Sequence, residues 1–362
     1  MTAIETMNRS AAAPETPGKV PIGRTPDDKT MLRAAAALPR ELLVARASVY
    51  WPDFLASVFI GYGALAVAIF TDSTVVMLLA GLLSALALYR AAGFTHELTH
   101  IRNGALPGFR FAWNALIGIP FLIPSFMYEE VHTHHHARTR YGTVEDPEYL
   151  PLALMKPWSL PLFIIASALA PVAVLFRFAV LSPLSLVIPP LRRQVVSAYS
   201  ALAINPAYRR RPPEGEFKRM WLVQETAASL WAIGILTASA LYGWRPLLIG
   251  MAVFSGLAVI NQLRTLVAHL WENEGEPMTV TGQYLDSVNV PPPDIFSPLW
   301  APVGLRYHAL HHLLPSMPYH SYGEAHRQLV AALGLESTYT KANHPGLFVL
   351  VFRIARSTMV RR

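Results

Sequence analysis

The sequence has no cysteine among its 362 residues. That absence excludes disulfides, cysteine-ligated zinc, iron–sulfur clusters and a thiol nucleophile. Charge is scarce too: Asp, Glu, Lys and Arg make up 15% of the chain, against about 25% in an average soluble domain. A G-x-G-x-x-G dinucleotide fingerprint is missing. What is plentiful is apolar surface, at 53% hydrophobic residues. That much excludes disorder over most of the chain and argues against a simple soluble globule. The net charge of +7 comes without a dominant basic run. Cationic loops beside a bilayer account for it better than nucleic acid does.

Residues 1–50 differ from the rest, with Ala, Pro, Thr and seven Lys/Arg against five Asp/Glu. They hold no apolar h-region, and five acids suit neither a secretory signal nor an organelle transit peptide. A mobile tail is expected, turning helical near Arg40–Ala47. Phe54–Phe70 and Thr74–Tyr89 are then long enough to span as a tight hairpin, with Tyr50 and Trp51 at its interface. Thr226–Tyr242 and Pro246–Leu263 read as a second hairpin. Phe111–Tyr128 and Pro157–Leu191 are apolar but interrupted by prolines, so they are expected to be interfacial or re-entrant. Of the Lys/Arg residues, Arg245 alone falls in an outer turn, which agrees with a positive-inside orientation. The expected fold is an all-α integral membrane protein: four transmembrane helices in two hairpins with a cytosolic histidine-rich cap. The expected division is a tail over 1–50, a membrane domain with its cap over 51–330, and a C-terminal extension of the cap over 331–362.

The chain has 13 histidines, and nine crowd into three windows. The first is His96-Glu97-Leu98-Thr99-His100, whose i, i+4 spacing puts both imidazoles on one helix face. The second, His132-Thr133-His134-His135-His136, reads as H-x-x-H-H through His132, His135 and His136. His308-Ala309-Leu310-His311-His312 repeats that spacing. His269 follows the fourth span closely. Imidazole is the commonest metal-ligand side chain. Eight clustered donors exceed what one tetrahedral ion uses, so two metal ions sharing eight or nine nitrogens are expected. All boxes meet on one membrane face if an even number of crossings separates them. That requires Phe111–Tyr128 not to cross, and Pro157–Leu191 to cross twice or not at all.

With these boxes, the segment RTRYGTVEDPEYL (138–150) and the segment YHALHHLLPSMPY (307–319), the chain resembles the membrane fatty acid desaturase superfamily. These are histidine-box di-iron oxygenases that include hydroxylases and ketolases. The resemblance covers roughly Tyr50–Leu329. It implies ligand roles for His96, His100, His132, His135, His136, His308, His311 and His312, and places His269 like the extra histidine some members carry. Thr265 stands where acyl-CoA members have an asparagine, so a water-bridged asparagine ligand is not expected. The resemblance further implies two iron ions, O2, an acyl-chain lipid substrate, and a separate ferredoxin- or cytochrome-b5-like electron donor. It implies a multi-pass protein of the cell (inner) membrane, with the boxes on the cytoplasmic side.

Chemistry agrees. Breaking an unactivated C–H bond needs a redox cofactor that no side chain supplies, and zinc has no redox chemistry. The first reading is therefore an acyl desaturase, with hydroxylation or ketolation of a lipid-like substrate as the alternative. His96–His100 is also literally H-E-x-x-H, the zinc-peptidase pattern, but that reading leaves two boxes without a role. A non-catalytic metal-storage or transport protein is a third class. Glu97, Glu129, Glu130, Glu145, Asp146 and Glu148 are candidates to hold imidazole tautomers. His134 is either such a partner or exposed; His320, His326 and His344 are expected to be structural. His344-Pro345-Gly346 resembles part of a cytochrome b5 haem motif, but no second axial histidine accompanies it, and a fused haem domain is not expected. Arg192–Arg193, Arg209–Arg211, Lys218 and Arg219 are read as membrane anchors, or as a dock for an acidic donor.

Overall fold

The computed structural model describes residues 22–357, apart from 103, 151–155, 157 and 274. Residues 1–21 of the expected tail, the first residue of the 157–191 stretch and residues 358–362 lie outside it. The described residues form helices and turns, with only isolated β-bridges. In order, these are α1 (Lys29–Ala36), α2 (Ala47–Phe70), α3 (Thr74–His100), α4 (Phe109–Trp113), α5 (Val131–His135), α6 (Ser159–Ala168), α7 (Ala170–Phe176) and α8 (Ser182–Ser185). They continue with α9 (Pro189–Ala198), α10 (Gly215–Tyr242), α11 (Arg245–Leu266), α12 (Val280–Asp286), α13 (Ser297–Trp300), α14 (His308–Leu313), α15 (Tyr322–Leu333) and α16 (Leu347–Ala355).

Among the described residues, three helical stretches are long and apolar enough to cross a membrane: Arg40–Phe70, Thr74–His100 and Arg245–Leu266. Ser159–Ala168 with Ala170–Ser185, bent by 57°, makes a fourth if the pair is one span. Their outer faces leave Phe59, Phe70, Leu78 and Leu79 exposed, as lipid-facing surface requires. Helix α10 has 28 residues but starts among Glu216, Lys218 and Arg219 and carries Gln224 and Glu225 mid-length. The run expected to span, Thr226–Tyr242, is the uncharged C-terminal part of this helix, and α10 as a whole is not among the three apolar stretches.

The hairpin α2–α3 turns at residues 71–73, where Ser73 Oγ accepts from Val76 N. The two helices approach closely at Gly61, where a Cβ would meet Leu88 Cγ at 2.5 Å. Asp53 and Arg90 pair across the interface at 2.6 Å. The second hairpin turns at Gly243 and Trp244, and Arg245 Nε there donates to Ile69 O at 2.8 Å. Both tight turns therefore lie at one end of the bundle. The other ends of α3 and α11 lead directly into His100 and His269. Residues 111–128 form no long helix: α4 passes into a π-helical turn, Asn114–Gly118, and stops at Pro120 and Pro124. This end-to-end arrangement gathers every histidine box at the same end.

The expected mobile tail is corrected in part. Asp28 caps α1 through Thr30 N and Met31 N, and α1 buries Met31 and Ala35 in a cluster with Tyr322, Ala325 and Leu329 of α15. The run 29–36 is a short amphipathic helix with a partner. The Arg40–Ala47 expectation resolves into a 3₁₀ turn over Arg40–Leu43, followed by the start of α2.

Candidate metal centre

Nine imidazoles converge in two groups. His96, His100, His132, His136 and His311 form one, and His135, His269, His308 and His312 the other; within each group the donor atoms all lie within 4.8 Å of one another. They are His269 and the box histidines other than His134, the set that the sequence reading named. Helix geometry explains how each H-x-x-H-H box is shared. Residues i and i+4 stack on one face, so His132 and His136 serve the first group while His308 and His312 serve the second. The i+3 residue, turned about the axis, crosses over: His135 joins the second group and His311 the first.

The donor set fits metal ions. Nε2–Nε2 separations are 3.0 Å for His132–His136, 2.8 Å for His136–His311, 3.0 Å for His269–His308 and 3.2 Å for His308–His312. Metal–nitrogen bonds of about 2.1 Å at right angles leave neighbouring nitrogens about 3.0 Å apart, against about 3.4 Å for a tetrahedron. The observed separations match adjacent positions of a higher-coordinate shell. Both ring nitrogens of His96, and Nε2 of His100, are buried without any partner, a cost that a bound cation removes. Burial, reinforced by neighbouring imidazoles, holds His132, His136, His269, His308, His311 and His312 far below the ordinary histidine range. Their lone pairs are thus available at neutral pH.

Groups behind the imidazoles fix which nitrogen faces inward. His132 Nδ1 lies 2.7 Å from Glu148 Oε1 and 2.9 Å from Tyr128 Oη. His135 Nδ1 lies 3.0 Å from both oxygens of Asp146. Burial pulls His135 down, but Asp146 outweighs it and the net shift is upward. An N–H donated outward from Nδ1 leaves Nε2 free to ligate. The Asp146 carboxylate also accepts from Gly142 N and Glu148 N, so one side chain orders the 142–148 turn and the imidazole together. Sequence reasoning missed Tyr128 and three further partners. Tyr141 Oη sits 2.8 Å from His269 Nδ1 and donates to Asp286 at 3.0 Å. Tyr322 Oη lies 2.8 Å from His311 Nδ1. Burial pushes Glu148 up to about 7 and Asp286 up to about 6.

The other candidate carboxylates go elsewhere. Glu97 accepts from Tyr50 Oη and from Tyr319 N, and its nearer oxygen stays 3.9 Å from His96 Nδ1. It ties the first box to the chain beyond the third and does not face the donors as a peptidase base must. Glu129 pairs with Arg110, Glu130 with Arg210 and Glu145 with Arg140. His134 meets Tyr208 Oη at 3.1 Å, outside both groups. His320 and His326 meet Arg46 and Tyr339; neither they nor His344 joins a group. Of the basic patch, Arg210 is buried, donating to Phe126 O, Ser200 O and Glu129 O. Arg192 pairs with Glu225. Arg193, Arg209, Arg211, Lys218 and Arg219 stay exposed.

An apolar cavity of about 350 Å³ lies between α2, α7, α10 and α11, lined by Tyr62, Phe121, Val174, Trp231 and Phe254 among others. Both proline-broken stretches contribute to its wall, through Pro120–Leu122 and through Pro171, Val174 and Leu175.

With this geometry in place, two comparisons are informative. Residues 72–342 match the family model described as fatty acid desaturase. The chain is also 47% identical, over 329 residues, to a ceramide hydroxylase of Caulobacter vibrioides (strain NA1000 / CB15N), spanning 90% of this chain and 93% of that protein.

Proposed function

The chain belongs to the fatty acid desaturase family, and on that premise we propose that it is a membrane di-iron hydroxylase acting on a ceramide-like lipid. That it is an oxygen-dependent oxidoreductase of lipid metabolism follows from the family. Hydroxylation is favoured over the desaturation first read from the sequence by one observation, the 47% identity to a ceramide hydroxylase across nearly both chains. The histidine boxes are common to both outcomes, because hydrogen removal is shared and only the following step differs.

In this reading His96, His100, His132, His136 and His311 hold one iron, and His135, His269, His308 and His312 hold the other. The irons supply reductive activation of O2, with one oxygen atom entering the C–H bond and the other leaving as water at the expense of two electrons and two protons. The chain's own residues do the rest. Asp146, Glu148, Tyr141 with Asp286, and Tyr322 keep the Nε2 atoms directed inward. The apolar cavity of about 350 Å³ takes hydrocarbon. With no cysteine for a cluster, electrons come from a separate donor, and exposed Arg193, Arg209, Arg211, Lys218 and Arg219 are a dock or membrane anchor for that side. The boxes face the cytoplasm from the cell (inner) membrane, α10 and α11 form the second spanning hairpin, and the chain divides near residues 50 and 330.

The test is expression in a host that makes simple ceramides, followed by lipid profiling under O2. A product heavier by one oxygen atom is expected. A product lighter by two hydrogens would return the assignment to desaturation. One zinc and no iron in the purified protein would overturn both.

A further inference from the structure

Helix α11 is divided along one face. Leu247, Gly250 and Phe254 line the apolar cavity. The same i, i+3, i+4 row continues through Leu257 and Asn261 to Arg264, in the last turn of the helix and five residues before His269. Arg264 Nη2 donates to Asn261 Oδ1 at 3.2 Å. Its Nε is buried and has no partner among the described residues. Two arginines deeper in the apolar segments have carboxylates, Arg90 with Asp53 at 2.6 Å and Arg177 with Glu225 at 2.8 Å, while Arg245 at the start of α11 donates to Ile69 O and Thr71 O. Arg264 has no such partner among the described residues. A cation in a last helical turn complements the helix dipole, but that does not account for a sealed N–H without an acceptor.

We propose that Arg264 receives the polar end of the lipid, through a carbonyl or hydroxyl oxygen, with the hydrocarbon running along α11 into the cavity. A guanidinium fork matches such oxygen acceptors and stays charged at any working pH. Phe254 lies ten residues back along the helix, about 15 Å, and Leu247 seventeen residues back, about 26 Å. An extended chain advances about 1.2 Å per bond. The cavity therefore takes the part of the tail from about the twelfth bond to about the twenty-first. The substrate class is a long-chain lipid held head-first at the metals. Oxidation then falls among the first few carbons from the polar end, not mid-chain.

This inference rests on the lipid-oxygenase reading above, and its test separates the two. The iron-loaded protein, kept free of O2 so that nothing turns over, is titrated with a long-chain ceramide and with an n-alkane of equal chain length. Arg264→Met should weaken ceramide binding about ten- to hundredfold, as loss of a charge-assisted hydrogen bond does, and leave alkane binding unchanged. Arg264→Lys should recover part of the loss. With O2 admitted, Arg264→Met should spread the oxidised position along the chain. Wild-type ceramide affinity in Arg264→Met, or equal losses for ceramide and alkane, would overturn the proposal. Should Arg264→Met fail to accumulate, Arg264→Gln and Arg264→Lys carry the same ceramide-to-alkane comparison. If the wild-type product is a double bond, the hydroxylase reading fails while the binding comparison still decides the role of Arg264.

Discussion

Replacing Asp146 with Asn probes whether the nine imidazoles are two independent sets. The side chain is fully buried, at 0% exposure, and meets His135 Nδ1 with both oxygens at 3.0 Å. Asn has the same shape, so no cavity opens; the change removes the charge and turns one acceptor into a donor. A hydrogen bond to a charged group contributes about 1.5–3 kcal/mol and a neutral one about 0.5–1.5. The difference of about 1–1.5 kcal/mol corresponds to roughly five- to tenfold in affinity. The new donor also opposes Gly142 N, which brings the effect to about tenfold, the lower end of the ten- to hundredfold cost typical of such partners. The loss should fall on the set containing His135, His269, His308 and His312. Glu148→Gln should do the same to the other set, through His132. Iron titration of metal-stripped protein, with Mössbauer spectra to tell the two ions apart, reads this directly. Asp146→Asn should fill one position at wild-type affinity and the second about an order of magnitude more weakly. Equal weakening of both positions by both variants would refute the partition. Melting the metal-free variants reports separately on any damage to the 142–148 turn.

Glu97→Gln should keep both irons and most oxygenase activity, since Glu97 bonds Tyr50 and Tyr319; a hydrolase using it as general base would lose about 10²–10⁴-fold. Tyr322→Phe removes the partner of His311 Nδ1 and nothing else within hydrogen-bond reach of that ring's outer nitrogen, so iron affinity at the first set should fall about tenfold, seen by competition with a chelator. Gly250→Phe places a ring in the cavity, where a Cβ at this position meets nothing within 4 Å. Assays across a chain-length series should show long tails losing kcat/KM and short tails holding theirs, with thermal stability unchanged.

Much of the centre was legible because it is written in covalent spacing. H-x-x-x-H and H-x-x-H-H on helices bring imidazoles together whatever lies around them. His269 was readable from its place after an apolar run. Tyr141, Asp286 and Tyr322 were not, because their contacts cross 128, 145 and 11 residues of chain and tyrosine has no spacing rule for such a role. Glu97 was legible as a residue but not as an orientation: on α3 it turns toward Tyr50 and the segment after the third box. The hydropathy of α2, α3 and α11 announced their presence, though α2 starts seven residues before its apolar run and α3 continues eleven residues beyond its own. α10 contains the expected Thr226–Tyr242 run and starts eleven residues before it, where Gln224 and Glu225 are absorbed by Phe126 N and by Arg177 and Arg192. The amphipathic face of α1 was visible only once α15 had a position.

The donors run from His96 to His312, 216 residues apart in the chain. At about 5–20 residues per second, synthesis leaves roughly 10–40 seconds between the first donor and the last. During that interval His96, His100, His132, His135 and His136 are already available with neither set complete. An open nitrogen site of that kind follows the Irving–Williams order, which ranks Cu²⁺ and Zn²⁺ above Fe²⁺. If the two sets hold iron, as proposed above, biogenesis has a selectivity problem that the finished shell does not. Whatever metal is accessible to the nascent chain decides whether His308, His311 and His312 arrive to close around iron or around a competitor already in place.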